Sequence, residues 1–314
     1  MKSLSSIFVS HVRTVWFLIS SFFLIATLGC GGSSASSPRP ASDTPPSSGS
    51  VPAFGHVLLV VEENHSYSEV IGNSSMPYLN SLTTQYGLAT QYYANTHPSI
   101  GNYFMLTTGQ LISNDDSFSG TVSVDNIVRQ LLAAGKTWKS YAESIPSPGY
   151  TGGDSYPYAK RHNPFAYITD VVNSSTQVNN LQSLTQFNQD LANGQLPNFS
   201  FLVPNLLDDA HDGTLQLADQ WLKTYIAPVI SSSAFQKDGL LIIVFDEGDA
   251  GDSTNGGGHI AAVIVSPEAK QGFQSTTLYQ HQSTFRLILE GLGVPNVTNY
   301  PGAASNAPSM AEFF

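Results

Sequence analysis

Three short, uninterrupted apolar runs constrain the fold of this chain more than any other feature. They are His56–Glu62, residues 240–245 and residues 260–266, and Phe199–Val203 is a shorter fourth. Aliphatic and β-branched runs without polar alternation are typical of strands that are buried on both faces of a sheet. The sequence therefore predicts a central sheet that is covered on both sides.

Helical periodicity separates these runs. Apolar residues recur three or four positions apart within residues 75–87, 124–135, 218–228 and 283–289, and Gly87, Gly135 and Pro228 are expected to end the first three helices. Strands that alternate with helices predict an α/β fold, with a mainly parallel central sheet and helices on both faces. Residues 144–163, rich in Pro, Gly and Tyr, are predicted to form a long loop.

The first 29 residues are interpreted as a signal peptide. Lys2 and Arg13 precede an uncharged run over residues 14–28, which is too short for a comfortable membrane span. The run ends at Gly29-Cys30 and resembles a bacterial lipoprotein cleavage box, although Thr27 stands where an aliphatic residue is usual. Ordinary signal cleavage nearby and a retained membrane anchor are the alternatives.

The predicted domain organisation follows from this leader. We expect residues 30–53 to be a lipidated cysteine and a disordered Ser/Pro-rich tether, and residues 54–314 to be the folded domain. The chain would then be an exported lipoprotein of the cell envelope, on its periplasmic or extracellular face, held to the membrane by its N-terminal lipid.

Charge and cysteine content exclude two classes of function. The formal net charge of -11 disfavours contact with nucleic-acid backbones. The single cysteine excludes an intramolecular disulfide framework and any metal site built from several thiolates.

Polar residues follow the predicted strands at the edge where ligands gather in parallel sheets. Glu63 and Asn64 come after the first run, and Asp246 and Glu247 come after the run over residues 240–245. Each pair could simply cap a turn, but two acidic strand ends at one sheet edge would suit a hard cation. Ser99 lies between Pro98 and Gly101 before a helical pattern, where it could be either a nucleophile or a helix cap.

Two further clusters contain histidine. The first, Asp209, His211 and Asp212, could be a second metal site or an ordinary acidic loop. The second, His259 after three glycines, could reach the rim of the site or be simply solvated.

The order of these motifs resembles a known family. The motifs follow one another as in the phosphoesterase family of bacterial phospholipases C and acid phosphatases, whose fold is similar to that of alkaline phosphatases. They are ENHSY, HPSIGNY, KRHNPF, NLLDDAHD, FDEGD with GGGH, and YQHQSTFRLILEGLGV. The resemblance covers residues 56–295 and implies an alkaline-phosphatase-like phosphoesterase domain. It implies Ser99 as nucleophile and metal contact, with Asn102 holding a phosphoryl oxygen. The implied metal ligands are Glu63, Asn64, Asp246 and Glu247, and more loosely Asp209, His211 and Asp212; His211 or His259 would be the catalytic acid or base.

We therefore expect metal-dependent hydrolysis of phosphate esters through a phosphoserine intermediate. The cofactor would be a divalent ion, with Ca, Mg, Mn and Zn all compatible, and the substrate a small phosphate ester or a phospholipid, either a monoester or a diester. A metal-free serine esterase and a non-catalytic surface lipoprotein that retains the fold are the alternatives.

Overall fold

A computed structural model describes residues 49–314 of the chain. The predictions of a signal peptide, a lipidated Cys30 and most of the tether lie outside the described residues. None of the helices within residues 49–314 has the length and apolar character that crossing a membrane requires.

Strands and helices alternate along the described chain. The strands are β1 His56–Glu62, β2 Gly87–Ala89, β3 Tyr92–Tyr93, β4 Trp138–Ala142, β5 Leu181–Ser183, β6 Phe199–Val203, β7 Gly239–Phe245, β8 Ala262–Val265, β9 Gln274–Ser275 and β10 Tyr279–Gln280. The helices are α1 Tyr67–Val70, α2 Pro77–Gln85, α3 Ile100–Thr108, α4 Ile127–Ala133, α5 Thr169–Val172, α6 Leu184–Ala192, α7 Leu215–Ser231, α8 Ser233–Asp238 and α9 His281–Gly291.

Eight of these strands form one sheet in the order β5-β4-β6-β1-β7-β8-β2-β9. From β5 to β7 every pairing is parallel, whereas β8 is antiparallel to both of its neighbours. Every residue of β6 and β7 is buried, so both faces of the sheet are covered. The prediction of an α/β fold with a mainly parallel central sheet is confirmed.

Helix α2 packs against α7, and α3 packs against α9. Helix α4 ends where predicted: Gly135, two residues after its last residue, has a φ of 68° that favours glycine. The expected helix end before Pro228 is wrong, because α7 continues to Ser231. Pro228 lies on the exposed side of α7, where the carbonyl that it leaves unbonded can be hydrated.

Candidate active site

The site lies at the carboxyl ends of β1 and β7, which are neighbours in the sheet. Glu63 follows β1, and Asp246 and Glu247 follow β7; the backbone N–H of Asp246 donates to the carbonyl of Glu62 over 2.9 Å. This pairing holds the two acidic strand ends side by side. Ser99 reaches them from the N-terminus of α3.

The Ser99 hydroxyl is buried and directed at two carboxylates. Its Oγ lies 3.2 Å from Oε2 of Glu63 and 3.3 Å from Oε1 of Glu247. The side chain is turned toward these acids instead of capping α3. The sequence left open whether Ser99 is a cap or part of a site, and the geometry favours the site.

Glu63 is the most connected carboxylate of the group. Its Oε1 accepts a hydrogen bond from the hydroxyl of Tyr103 at 2.5 Å and lies 3.3 Å from Nε2 of His162. Burial raises the pKa of Glu63 well above its ordinary value, and the charges of Asp246 and Asp209 raise it further. A nearby cation would lower the pKa of Glu63 again, because it favours the ionised carboxylate.

Asp246 and Glu247, the acidic pair after β7, are held by several hydrogen bonds. Asp246 Oδ1 accepts the backbone N–H of Glu247 over 2.6 Å, and burial followed by the charge of Glu247 raises the pKa of Asp246 well above its ordinary value. Burial also raises the pKa of Glu247 to about 7, despite a hydrogen bond from Ser99. Oε2 of Glu247 lies 2.9 Å from Nδ1 of His97, whose Nε2 lies 2.9 Å from the carbonyl of Asp252.

Glu63, His162 and Asp209 form a group whose ligand atoms suit a cation. One atom from each lies within 4.8 Å of the other two, and all three side chains are buried. Within residues 49–314, His162 Nε2, Asp209 Oδ2 and Asp246 Oδ2 are buried without a hydrogen-bond partner. Burial, followed by the charge of Arg161, lowers the pKa of His162 well below its ordinary value, so its neutral ring can act as a ligand. These residues fit a divalent cation, since oxygen atoms and a neutral imidazole are its common protein ligands.

Asn102 is buried in the first turn of α3, three residues after Ser99, and its side chain bonds the turn that leads to Ser99. Its Oδ1 accepts the backbone N–H groups of Asn95 and Thr96 at 3.0 and 3.2 Å, and its Nδ2 donates to the carbonyl of Thr96 at 2.8 Å. Only one amide hydrogen is left for a phosphoryl oxygen. The geometry therefore assigns Asn102 chiefly to holding the turn.

The other predicted residues lie at the margin of the site. His211 is partly exposed: its backbone N–H donates to Asp209 Oδ1 at 2.8 Å, and its ring Nδ1 lies 2.7 Å from Asp212 Oδ1. Asp212 thus contacts His211 and is not part of the group of three ligands. Asn64, next to Glu63, is partly exposed.

His259 is held away from Ser99. Its ring stacks between Tyr67 and Tyr93, with centroids 4.3 and 4.9 Å away, and its Nε2 lies 3.0 Å from the carbonyl of Thr90. It is linked to Glu247 only through other residues. The backbone N–H of His259 donates to the side chain of Asp252, the carbonyl of Asp252 contacts His97, and His97 contacts Glu247. The contacts of the His259 ring are thus with Thr90, Tyr67 and Tyr93, and its role as catalytic acid or base stays a prediction.

Three residues of the site were not among those predicted: His97, Tyr103 and His162. His162 belongs to the KRHNPF motif and ends the predicted loop in a 3-10 turn, Lys160–His162, so its motif was the available signal. His97 lies two residues before Ser99, and Tyr103 is four residues after it, one helical turn along α3. Proximity to Ser99 could have indicated both.

Comparison with known proteins gives a consistent picture. The model of the phosphoesterase family matches residues 73–295, which include Ser99, His162, Asp209 and Asp246 and begin after Glu63. A probable acid phosphatase from Kluyveromyces lactis is 31% identical over 263 residues, covering 81% of this chain and 62% of that protein. The chain therefore spans less than two thirds of the length of that relative.

A relative of more similar length is a phosphatidylinositol-3-phosphatase from Mycobacterium tuberculosis. It is 31% identical over 267 residues, which cover 84% of both proteins. Among solved structures, a protein of the alkaline phosphatase superfamily from Vibrio parahaemolyticus aligns with a TM-score of 0.56 at 15% identity, covering 79% of this chain and 69% of that one. At that identity the likeness concerns the fold.

Proposed function

Because this chain belongs to the phosphoesterase family, we propose that it hydrolyses phosphate esters and uses Ser99 as its nucleophile. The observation that carries the proposal is the position of Ser99 Oγ, 3.2 Å from Glu63 and 3.3 Å from Glu247 at the edge of the sheet. A hydroxyl beside buried acids at a helix N-terminus suits phosphoryl transfer, in which positioning and charge stabilisation supply most of the catalysis.

Phosphate monoesters are the proposed substrate class. Both curated relatives are named as phosphatases, one of them for a phosphoinositide. A soluble monoester and a lipid headgroup share the same terminal phosphate, so the same site would serve either.

A divalent cation is proposed to be held by Glu63, Asp246 and Glu247, with His162, Asp209 and Asn64 beside them. Oδ2 of Asp209 and Oδ2 of Asp246 accept no hydrogen bond within residues 49–314, and Oδ2 of Asp209 lies 3.4 Å from Nδ1 of His162; both oxygens support this assignment. When bound, such a cation would supply positive charge that favours the anionic form of the Ser99 oxygen and of the phosphoryl group.

The first step forms a bond between Ser99 Oγ and phosphorus and breaks the bond between phosphorus and the ester oxygen. The Ser99 proton passes to Glu63 or Glu247, whose oxygen atoms are the nearest acceptors. The departing oxygen takes a proton from His211, whose partly exposed ring lies 5.9 Å from that of His162. Water then attacks phosphorus and gives one proton to His211. The bond between phosphorus and Oγ breaks as Oγ takes back the proton held by the glutamate, which releases phosphate and restores Ser99.

The alternative of a serine esterase has less support from the geometry. A serine esterase activates its nucleophile with an imidazole that contacts the hydroxyl. Here the contacts of Ser99 Oγ are the two carboxylates.

The test compares Ser99→Ala with Ser119→Ala, a matched change at an exposed serine. We expect Ser99→Ala to lower kcat for p-nitrophenyl phosphate at least about a thousandfold and to leave the melting temperature and metal content close to those of the parent. Ser119→Ala should keep full activity. A diester, bis-p-nitrophenyl phosphate, serves as the comparison substrate.

Two results would count against the proposal. Ser99→Ala protein that releases phosphate as fast as the parent would exclude the nucleophile. Parent activity that survives exhaustive chelation and favours carboxyl esters would instead support the metal-free esterase.

Anchoring by a lipid on Cys30 also remains a proposal, supported by the Leu28-Gly29-Cys30 sequence alone. Replacement of Cys30 by serine should release the chain from the membrane fraction of cells. Retention of Cys30→Ser protein in that fraction would contradict lipid anchoring.

A further inference from the structure

A second group of carboxylates lies at the same edge of the sheet. Glu62 is the last residue of β1, Glu143 directly follows β4, and Asp208 lies in the loop after β6. The three strands are adjacent in the order β4-β6-β1, so their carboxyl ends meet. Glu62 precedes Glu63, and consecutive residues of an extended chain direct their side chains to opposite faces.

Glu62 is the buried centre of this group. Its side chain has 0% relative exposure, and neither of its carboxylate oxygens has a hydrogen-bond partner among residues 49–314. Glu63, by contrast, contacts Ser99, Tyr103 and His162. A buried carboxylate with two free oxygens carries a large desolvation cost unless a cation or a proton compensates for it.

Asn205 links the other two acids. Its backbone N–H donates to Glu143 Oε2 over 3.1 Å, and its Nδ2 lies 3.3 Å from Asp208 Oδ2. The backbone N–H of Glu143 donates in turn to the carbonyl of Val203 at the end of β6. Glu143 and Asp208 are therefore fixed to the same short stretch of chain beside β1.

Among residues 49–314, no lysine or arginine forms an ion pair with Glu62, Glu143 or Asp208. Burial raises the pKa of Glu62 well above its ordinary value, and the charges of Asp209, Asp208, Glu143 and Asp219 raise it further. Asp219 itself accepts the backbone N–H groups of Tyr78 and Leu79 and so adds charge without being free to bind.

We propose that Glu62, Glu143 and Asp208 form a second cation site, separate from the Ser99 group, that binds Ca²⁺. All of its ligand atoms are oxygens, which hard cations prefer, and Ca²⁺ accepts irregular coordination with more ligands than Mg²⁺. Within residues 49–314, three potential ligand atoms lie within 4.8 Å of one another only in the group of Glu63, His162 and Asp209. Binding at Glu62 therefore includes rotation of the partly exposed Glu143 and Asp208 toward it.

The site does not depend on the proposed hydrolysis. Its residues make none of the contacts of Ser99, and Ca²⁺ binding is measured without a substrate. Its function is to compensate the buried charge of Glu62 and so to hold the ends of β1, β4 and β6 together.

Trp221 provides a direct probe. The indole lies on α7 near Glu143, where it opposes the effect of burial, which raises the pKa of that acid to about 7, although Nε1 of Trp221 makes no hydrogen bond within residues 49–314. Excitation of tryptophan alone should therefore sensitise the luminescence of Tb³⁺ bound at Glu62, and Ca²⁺ should compete it away. Trp221→Phe should abolish the sensitised signal, whereas Trp138→Phe, at the opposite end of β4, should keep it.

Four variants of the full chain test the ligand assignment. We expect Glu62→Gln and Glu143→Gln to weaken Tb³⁺ and Ca²⁺ binding about tenfold or more, whereas Glu63→Gln and the exposed control Glu268→Gln should keep the tryptophan-sensitised signal. Ca²⁺ should also raise the melting temperature of the parent and of Glu63→Gln, but not that of Glu62→Gln.

The proposal is overturned if Tb³⁺ gives no signal through Trp221, or if Glu62→Gln binds as tightly as the parent. It is also overturned if Glu62→Gln is the more stable protein at every Ca²⁺ concentration. That result would mean that Glu62 is simply a protonated, buried acid.

Discussion

Among single residues, Glu63 is the one on which most contacts of the active site depend. Its two oxygens meet the hydroxyls of Ser99 and Tyr103 and the ring of His162. A carboxylate held by a hydroxyl presents its remaining lone pairs in a fixed direction, which is how outer contacts tune a metal ligand. Tyr103 is therefore a positioning residue for Glu63.

Replacement of Tyr103 by phenylalanine tests this role. The ring would still pack on that of His162, but Glu63 would lose its 2.5 Å hydrogen bond. We expect metal affinity, measured by calorimetric titration, to fall about 10- to 100-fold, and activity to return when the metal concentration is raised. Tyr141→Phe is the matched control, because Tyr141 bonds Asp190 elsewhere. Unchanged metal affinity in Tyr103→Phe would remove Tyr103 from the site.

The acidic strand ends and Ser99 could be predicted from sequence, whereas their partners could not. A carboxylate after an apolar run is visible in the sequence because its polarity conflicts with the burial of its neighbours. His97 meets Glu247 across 150 positions and His162 meets Glu63 across 99, and such pairings are set by the packing of loops. His259 shows the reverse case, since its glycine-rich setting indicated a ligand site and the structure places it between two tyrosines.

Among the helices, α3 has the largest effect on the site because its N-terminus carries Ser99. The backbone N–H of Ile100 donates to Oδ1 of Asp116 over 3.1 Å, so a carboxylate occupies part of the anion-binding end of this helix. The charge of Asp116 also raises the pKa of Glu247, after burial. Arg161 Nε lies 3.8 Å from the other oxygen of Asp116.

Asp116→Asn should therefore strengthen phosphate binding. Asparagine can still accept the Ile100 hydrogen bond through Oδ1, but it removes a negative charge from beside the nucleophile and from one side of Arg161, which keeps its 3.0 Å ion pair with Asp154. We expect the inhibition constant of inorganic phosphate to fall about threefold to tenfold, as for the loss of one nearby like charge of about 1 kcal/mol, with little change in melting temperature. The exposed control is Asp115→Asn. Weaker phosphate binding in Asp116→Asn would contradict this prediction and would show that Asp116 helps to bind phosphate.

The elements themselves were predicted most closely where local chemistry decides them. The bounds of β1 and β6 agree with the sequence pattern, because each is an apolar run that ends at a polar or turn residue. The direction of β8 could not be predicted, since an apolar run has the same composition in parallel and antiparallel pairings. The helix α7 passes Pro228 because packing of Ile226 and Val229 on the core outweighs the lost hydrogen bond.

For the molecule as a whole, the sheet brings acids from four strands to one edge, and all but Glu143 are buried. Glu62 and Glu63 lie at the end of β1, and Glu143 follows β4. Asp209 lies beyond β6, and Asp246 and Glu247 follow β7. Because the chain has a net charge of -11, its basic side chains do little to offset the negative charge of these acids. The folded state without cations therefore favours proton binding at this edge.

The cation-free chain should consequently lose stability as pH rises from about 5 to about 8. Burial raises the pKa of Asp209 and Glu247 to about 7, whereas unfolded carboxylates ionise near pH 4. Across that interval the folded state retains protons that the unfolded state has released, so the free energy of unfolding falls with increasing pH. Divalent cations should reverse the loss by replacing those protons. Calorimetric melting after chelation measures both effects, and the double variant Asp209→Asn, Glu247→Gln should flatten the pH profile. A melting temperature that rises with pH in the chelated parent would mean that these acids are ionised in the fold without any cation.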